Sequence, residues 1–393
     1  MADPSTRTAR RTHDFTESVI REMTRVAAMH EALNLAQGFP DFPAPDALKA
    51  AACDAVRRDL NQYAVTWGSP RLRRALADAY RYWYGLEVDP DRSITVTCGA
   101  TEAMASALLA VVDPGGEVVV MEPFYENYGP DAILCGARPV WVPLERTHGD
   151  GGLSFVVDLD RLRAAFNDRT RAIILNSPNN PSGHVFSRTE LEAVAELCRR
   201  HDVIAFTDEI YEHILYDGEH IPLASLHGMA ERTVTISGAS KSFSVTGWRV
   251  GWIIAPADIT DAIRKVHDFL TVGAPAPLQD AVAHGLETLD DEYYDALTAD
   301  YRRRRDILFH ALANAGFDCS PPQGAYYILA SFSALSGEDD DLFARRMAAE
   351  VGVAAVPGSS FFHRPEPGRD LVRFAFCKKV ETLEAAGRRL QQL

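Results

Sequence analysis

Lys241 has the setting that most directly suggests chemistry. It stands in the run SGASKSFSVTGWR at 237–249, after an apolar stretch and eight positions before Arg249. A lysine desolvated among small side chains gives up its proton more readily, and its free amine forms an imine with an aldehyde. Thr246 and Gly247 can turn the chain so that the Arg249 fork meets a phosphate held near that amine. Taken alone, a lysine between small residues is usually an ordinary solvated group, so its neighbours decide.

Four other short runs offer complementary groups. In TDEIY at 207–211, Asp208 could pair with a protonated ring nitrogen, and Tyr211 could reach the same ring. A helix cap and a core tyrosine explain the pair as well. NSPNNPSG at 176–183 carries amide side chains, Asn180 among them, on a connection that is also good turn chemistry. CGATE at 98–102 places Ala100 and Thr101 at a helix start, where backbone N–H groups seat a phosphate or Thr and Glu form an ordinary capping box. Tyr125, in PFY at 123–125, could stack on a flat ring or pack a core.

These runs share a position relative to the elements that must hold them. Strands are expected at Ile94–Thr97, Glu117–Met121, Pro139–Pro143, Ala172–Leu175, Val203–Thr207, Thr233–Ser237 and Val250–Ile254. Most are near-continuous apolar runs, as strands covered on both faces by helices should be. Helices are expected at Thr101–Val112, ending before the breaker Asp113-Pro114-Gly115-Gly116, and at Arg188–His201. The alternation predicts an α/β domain with a mostly parallel seven-stranded sheet. The C-terminal part reads differently, as an α+β unit. Ala281–Ala315 is mainly helical, Ala325–Ala330 and Leu371–Phe376 are strands, and Asp341–Val351 and Val380–Gln392 are helices. Residues 46–275 are therefore expected to form a large domain, and 1–45 plus 276–393 a smaller one.

The five chemical runs all fall at the C-terminal ends of strands in one sheet, the edge where ligands of parallel sheets gather. Together they offer a phosphate seat, a ring-nitrogen carboxylate, hydroxyl and amide partners, a stacking aromatic and an imine-forming lysine. That set describes a pyridoxal 5′-phosphate site.

Composition bounds the partners. Lys and Arg number 40 against 55 Asp and Glu, a net charge of −15, which disfavours nucleic acid and anionic membranes. No apolar run approaches the ~18 residues of a membrane span. The N-terminus lacks the hydrophobic core of a signal peptide, and Asp3 and Asp14 weaken an organelle-targeting reading of its arginines, leaving a flexible tail. Six scattered cysteines, at 53, 98, 135, 198, 319 and 377, show no metal spacing and read as reduced thiols of a cytoplasmic protein. No metal site is expected.

The chain resembles the class I/II aminotransferases of PLP fold type I over nearly its whole length. GATEA at 99–103, EPFYENY at 122–128, NSPNNPSG at 176–183, TDEIYEH at 207–213, SKSFSVTGWRVGW at 240–252 and VRFAFCK at 372–378 carry the resemblance. AQGFPDFPAP at 36–45 and NQYAVTWGSPRLR at 61–73 are similar to the branch holding kynurenine/glutamine, methionine, aromatic and N-succinyldiaminopimelate aminotransferases. The resemblance implies that Lys241 is the Schiff-base lysine and Asp208 the partner of the pyridine nitrogen. Asn180 and Tyr211 would bond the ring 3′-oxygen, Tyr125 would stack on the ring, and Ala100, Thr101 and Arg249 would bind the phosphate. Tyr63 would reach that phosphate from a neighbouring subunit, making a homodimer with shared sites. Arg373 would grip the substrate α-carboxylate, with Gly38 and Asn180 nearby. One departure stands out: Gly238 occupies the place of a phosphate-binding serine, so Ser237 or Ser240 would substitute.

The implied reaction is ping-pong transfer of an amino group between an L-amino acid and a 2-oxo acid. The stretch 270–277 has no Arg or Lys, which disfavours aspartate through a partner-chain arginine. Phe39, Phe42, Tyr63 and Tyr125 suggest an apolar mouth for aromatic, methionine-like or glutamine-like side chains. A PLP-dependent β-lyase acting on cysteine conjugates is the enzymatic alternative. A PLP-sensing transcription regulator is the remote one, disfavoured by the acidic charge and by the roughly 30 residues that precede the motifs.

Overall fold

The computed structural model describes residues 7–149 and 152–393; the first six residues of the expected tail lie outside the described residues. Seven strands form the main sheet: β1 (Ile94–Thr97), β2 (Glu117–Glu122), β3 (Arg138–Pro143), β4 (Thr170–Asn176), β5 (Ile204–Asp208), β6 (Thr233–Gly238) and β7 (Gly251–Ile254). Their order is β1-β7-β6-β5-β4-β2-β3. All neighbours are parallel except β7, which runs antiparallel to both β1 and β6. Each expected strand is present, with ends displaced by a residue or two.

The apolar runs follow from burial on both faces. Val118, Val120, Ala172 and Ile174 enter one core with Ala103, Met104 and Ala107 of the helix Ala100–Val111. The alternate residues Val119, Met121, Ile173 and Leu175 enter a second core with Leu191 and Val194 of the helix Arg188–His201. Period-two alternation thus persists, but both phases are apolar because both faces are covered. Ser187 and Glu190 close a reciprocal capping box at the start of the second helix, fixing where it begins.

The C-terminal part builds a three-stranded antiparallel sheet from Tyr327–Ser331, Val356–Pro357 and Leu371–Ala375. The N-terminal segment joins it: Leu33 and Asn34 pair in parallel with Val353 and Ala354. The helix Val19–Met29 buries Ile20, Met23, Val26 and Ala27 in the same core as Val353 and Phe374. Two helical expectations change. The 281–315 stretch is two helices, Ala276–Thr288 and Asp291–Asn314, and the first packs on Asp46–Arg57 and Pro70–Tyr84 rather than on the small sheet. Its buried Val282 and Ala283 share a core with Leu48, Leu72, Ala75 and Leu76 of those helices. The helix expected over 341–351 is α over Asp340–Arg346, then widens to a π turn at Met347–Val351 that keeps Met347, Ala348 and Val351 buried.

The main sheet brings the C-terminal ends of β1, β2, β4, β5 and β6 to one edge, with the small sheet above it. One close approach there is strict. A Cβ on Gly251 would lie 2.6 Å from the Gly99 carbonyl carbon and 2.7 Å from the Ala100 nitrogen, so β7 passes directly against the start of the Ala100 helix. Gly251→Ala should cost about 1–3 kcal/mol through this backbone clash, read as a lowered denaturant midpoint of the cofactor-free protein.

Candidate active site

At that sheet edge lies a cavity of about 330 Å³, whose lining includes Gly38, Ala100, Thr101, Tyr125, Asn180, Asp208, Tyr211, Ser240, Lys241, Arg249 and Arg373. Of the residues expected at the site, Tyr63, 88% exposed, Phe42 and Ser237 do not line this cavity.

Lys241 sits in the single-turn helix Ala239–Ser242 that follows β6. Its largely buried side chain lines the cavity, and Nζ lies 3.4 Å from the Gly38 carbonyl. The Tyr326 and Tyr211 rings lie 5.4 and 5.7 Å away. Burial pushes its ammonium down to about 8, and the Arg249 and Arg373 charges add to that effect. Asp208 ends β5. Its Oδ2 accepts from the Tyr128 hydroxyl at 2.6 Å and its Oδ1 from the Ile210 N–H at 3.2 Å. Burial raises its pKa despite these donors, so a cationic partner in the cavity would stabilise its charge.

The helix Ala100–Val111 begins at Gly99, with φ 83° and no side-chain cap. Glu102 does not complete the expected capping box; it accepts from the Cys98 N–H and faces His267 at 3.0 Å. The first N–H groups of the helix are thus left for a ligand. The Arg249 guanidinium covers Gly99 so closely that a Cβ there would lie 2.2 Å from it. Ser240 lines this cavity, whereas the Ser237 hydroxyl donates to Glu212 at 2.6 Å and is turned away. Of the two serines, Ser240 is the one that opens into the cavity.

Arg373 is fully buried yet has no acidic partner among the described residues. It donates to Asn180 Oδ1 at 2.8 Å and to the Ala36 carbonyl at 2.7 Å, while its Nε has no partner. The rings of Tyr327 and Phe361 lie 4.2 and 4.9 Å from the guanidinium carbon. A buried cation bonded only to neutral acceptors is a receptor for a carboxylate. Gly38 is required beside it, because a Cβ there would fall 2.0 Å from the Tyr327 hydroxyl.

Several contributors escaped sequence reasoning. Tyr128, which donates to Asp208, lay inside a recognised motif without an assigned task. Asn176 donates to the Asp208 carbonyl and accepts from the Asn180 N–H. Tyr327, whose hydroxyl lies 3.1 Å from that of Tyr211, stood outside any motif. Asp131 also lines the cavity, its carboxyl raised to about 7 by burial. Phe42 does not line the cavity; its ring packs edge-on against Tyr301 at 6.0 Å.

The residues present fit pyridoxal phosphate. An amine lowered toward neutrality, a buried carboxylate awaiting a cation, an uncapped helix start beside an arginine and an acid-free buried arginine match the aldehyde, ring nitrogen, phosphate and substrate carboxylate. The family model for aminotransferase class I and II matches residues 30–390. The chain belongs to the class I and II aminotransferases. It is 42% identical to a probable N-succinyldiaminopimelate aminotransferase of Mycobacterium tuberculosis over 98% of each chain. It is 39% identical to a methionine aminotransferase of Escherichia coli over 96% of each, and 39% identical to kynurenine–oxoglutarate transaminase 1 of Homo sapiens over 94% of each. The solved N-succinyldiaminopimelate aminotransferase from Mycobacterium tuberculosis superposes with a TM-score of 0.94, covering 98% of this chain and 99% of that one. This aminotransferase is accordingly an enzyme dependent on pyridoxal phosphate.

Two measurements follow. Because only the unprotonated amine attacks an aldehyde, the rate at which cofactor-free enzyme develops visible absorbance with pyridoxal phosphate should rise with pH and level off above about 8. Tyr128→Phe removes a donor to a buried carboxylate and should weaken cofactor affinity by about 10- to 100-fold, read by titrating the cofactor-free variant.

Proposed function

We propose that this aminotransferase moves the amino group of an L-amino acid with an aromatic, methionine-like or glutamine-like side chain to a 2-oxo acid, in two ping-pong half-reactions. The observation that carries this reading is the convergence of Lys241, Asp208 and Arg373 on one cavity. Bound pyridoxal phosphate supplies an aldehyde that joins amines and a ring that withdraws electrons from the substrate Cα. Lys241 would hold the aldehyde in the resting enzyme, and its amine, once freed, would take the proton from the substrate Cα as base and give it as acid to the former aldehyde carbon. Asp208 keeps the ring nitrogen protonated. Asn180 and Tyr211 bond the ring oxygen, and Tyr125 stacks on the ring. Ala100, Thr101, Ser240 and Arg249 hold the phosphate. Arg373, with Gly38 and Asn180, orients the substrate through its α-carboxylate and so fixes which Cα bond faces Lys241.

Ile20, Phe39 and Tyr125 in the cavity lining support an apolar side-chain site. The kinship to methionine and kynurenine–oxoglutarate enzymes agrees with it. The relatives are named for amino transfer, which favours transfer over β-elimination or transcriptional sensing.

The working unit we propose is a homodimer with shared sites, and two lobes per chain, 46–275 against 1–45 plus 276–393, the helix Ala276–Thr288 riding on the first. Tyr63, at 88% exposure, and Phe269, at 90%, are exposed large hydrophobics, as are Val65 and Leu270, and a second copy would cover them. Among the described residues no helix is long and apolar enough to cross a membrane. The six free cysteines agree with a reducing cytoplasm.

Lys241→Ala should abolish turnover and the visible absorbance of the resting enzyme; full activity in that variant would refute the assignment. For the dimer, mixing Lys241→Ala with Tyr63→Ala protomers should regain activity that neither variant has, since one site per mixed dimer then carries both residues. A panel of amino donors against pyruvate, 2-oxoglutarate and phenylpyruvate reads the substrate preference.

A further inference from the structure

Two buried side-chain atoms of the cavity lining lack a hydrogen-bond partner among the described residues: Arg373 Nε and Asp131 Oδ2. The first belongs to the cation set to meet the substrate carboxylate. The second belongs to an acid of opposite charge. Asp131 is buried on the helix Tyr128–Leu134, one turn after Tyr128, so the two residues share a face of that helix. Tyr128 and Ala132 of this helix belong to one apolar core with Met104, which also lines the cavity.

The other acids of the lining are engaged. Glu126 accepts from Ser18, and Asp208 accepts from Tyr128 and the Ile210 N–H. Nothing but burial acts on the Asp131 carboxyl, and it raises that group to about 7. An acid left unpaired in an apolar wall is destabilising, and such a group in a cleft marks a place where a ligand offsets the penalty. The fitting ligand group is a cation. A phosphate and a substrate carboxylate are anions, and the substrate amine is directed to the aldehyde at Lys241. The remaining cation is a protonated ring nitrogen, which Asp208 is set to face from the same wall as Tyr128.

We propose that Asp131 is a second acid for the cationic ring of the bound cofactor, adding its charge to that of Asp208 so that two carboxyls of one chain favour the protonated ring nitrogen. This deepens the proposed function and rests on Asp208 meeting that nitrogen. Asp131 is a positioning residue: it acts through the charge it adds to the wall that carries Tyr128 and Asp208. A cation entering the cavity favours loss of the Asp131 proton to solvent, and the carboxylate so formed attracts that cation strongly where water is excluded.

The test titrates the full chain, freed of cofactor, with two probes: pyridoxal 5′-phosphate and its carbocyclic analogue, in which C–H replaces the ring nitrogen and no ring cation forms. The parent should prefer pyridoxal phosphate. Asp131→Asn keeps the shape and removes the charge, so its affinity for pyridoxal phosphate should fall about tenfold while its affinity for the analogue stays unchanged. The denaturant midpoint of the cofactor-free variant should equal or exceed that of the parent, because an uncompensated buried acid has been removed. An equal loss of both affinities, a lowered midpoint, or an undiminished preference in Asp131→Asn overturns the assignment. A parent that binds both probes equally sinks the reading of Asp208 itself, and this inference with it.

Discussion

An ammonium, a carboxylate and a guanidinium share one cavity without pairing with one another, and the rest of the structure follows from that constraint. Desolvated charges left unmatched are costly. Here each is held by neutral donors or acceptors instead: Lys241 by a carbonyl, Asp208 by a phenol and an amide, Arg373 by an amide oxygen and a carbonyl. The fold thereby keeps three charges exposed to ligands rather than neutralised by the protein. The same lack of compensation that weakens the empty site gives cofactor and substrate their binding energy.

Holding unmatched charges requires rigid supports, and these lie behind the sheet edge. The turn carrying Asp208 and Tyr211 also carries Glu209 and Glu212, which point away from the cavity into a buried polar cluster. Glu209 faces His220 at 2.9 Å; burial alone would lower this histidine, but the Glu209 carboxylate raises it instead. Glu212, pushed up to about 7 by burial, accepts from Tyr84 at 2.7 Å and from Ser237 at 2.6 Å. Tyr84 closes the helix Pro70–Tyr84 and Ser237 lies in β6, one strand from the turn. Thus the two acids that face inward fasten the turn to a helix and a strand, while Asp208 and Tyr211 line the cavity.

This division explains what was legible in the sequence. The seven strands could be read because two covered faces demand apolar residues in both phases, as at Val118–Met121 and Ala172–Leu175. The residues at strand ends could be read because their motifs are contiguous: Lys241, Asp208 and Asn180 each follow directly from a strand. What depends on elements meeting in space could not. Tyr128 matters only because its helix brings the hydroxyl to Asp208, and Tyr327 only because the small sheet lowers it onto Gly38 and Tyr211. Ser237 and Ser240 look equivalent in sequence, yet strand alternation turns the first to Glu212 and the short helix turns the second to the cavity. Nor does periodicity say which neighbour a helix will choose, as Ala276–Thr288 shows by packing on Asp46–Arg57 and Pro70–Tyr84.

The hydrogen bonds also join the two ends of the site into one chain. Asn176 holds the Asp208 carbonyl with its amide nitrogen and the Asn180 N–H with its amide oxygen. Asn180 in turn accepts from Arg373, whose guanidinium lies on the Tyr327 ring, and the Tyr327 hydroxyl meets that of Tyr211. Asp208 and Arg373 are therefore placed by a common network rather than by separate scaffolds. A displacement of Arg373 would be transmitted to Asn180 and then to the turn that bears Asp208. Such coupling would suit the proposed reaction, in which the substrate Cα, the ring and the Lys241 amine would have to keep one mutual orientation. It also accounts for neutral links in this chain: an acid placed between Arg373 and Asp208 would capture the guanidinium and remove the charge that the substrate is to meet.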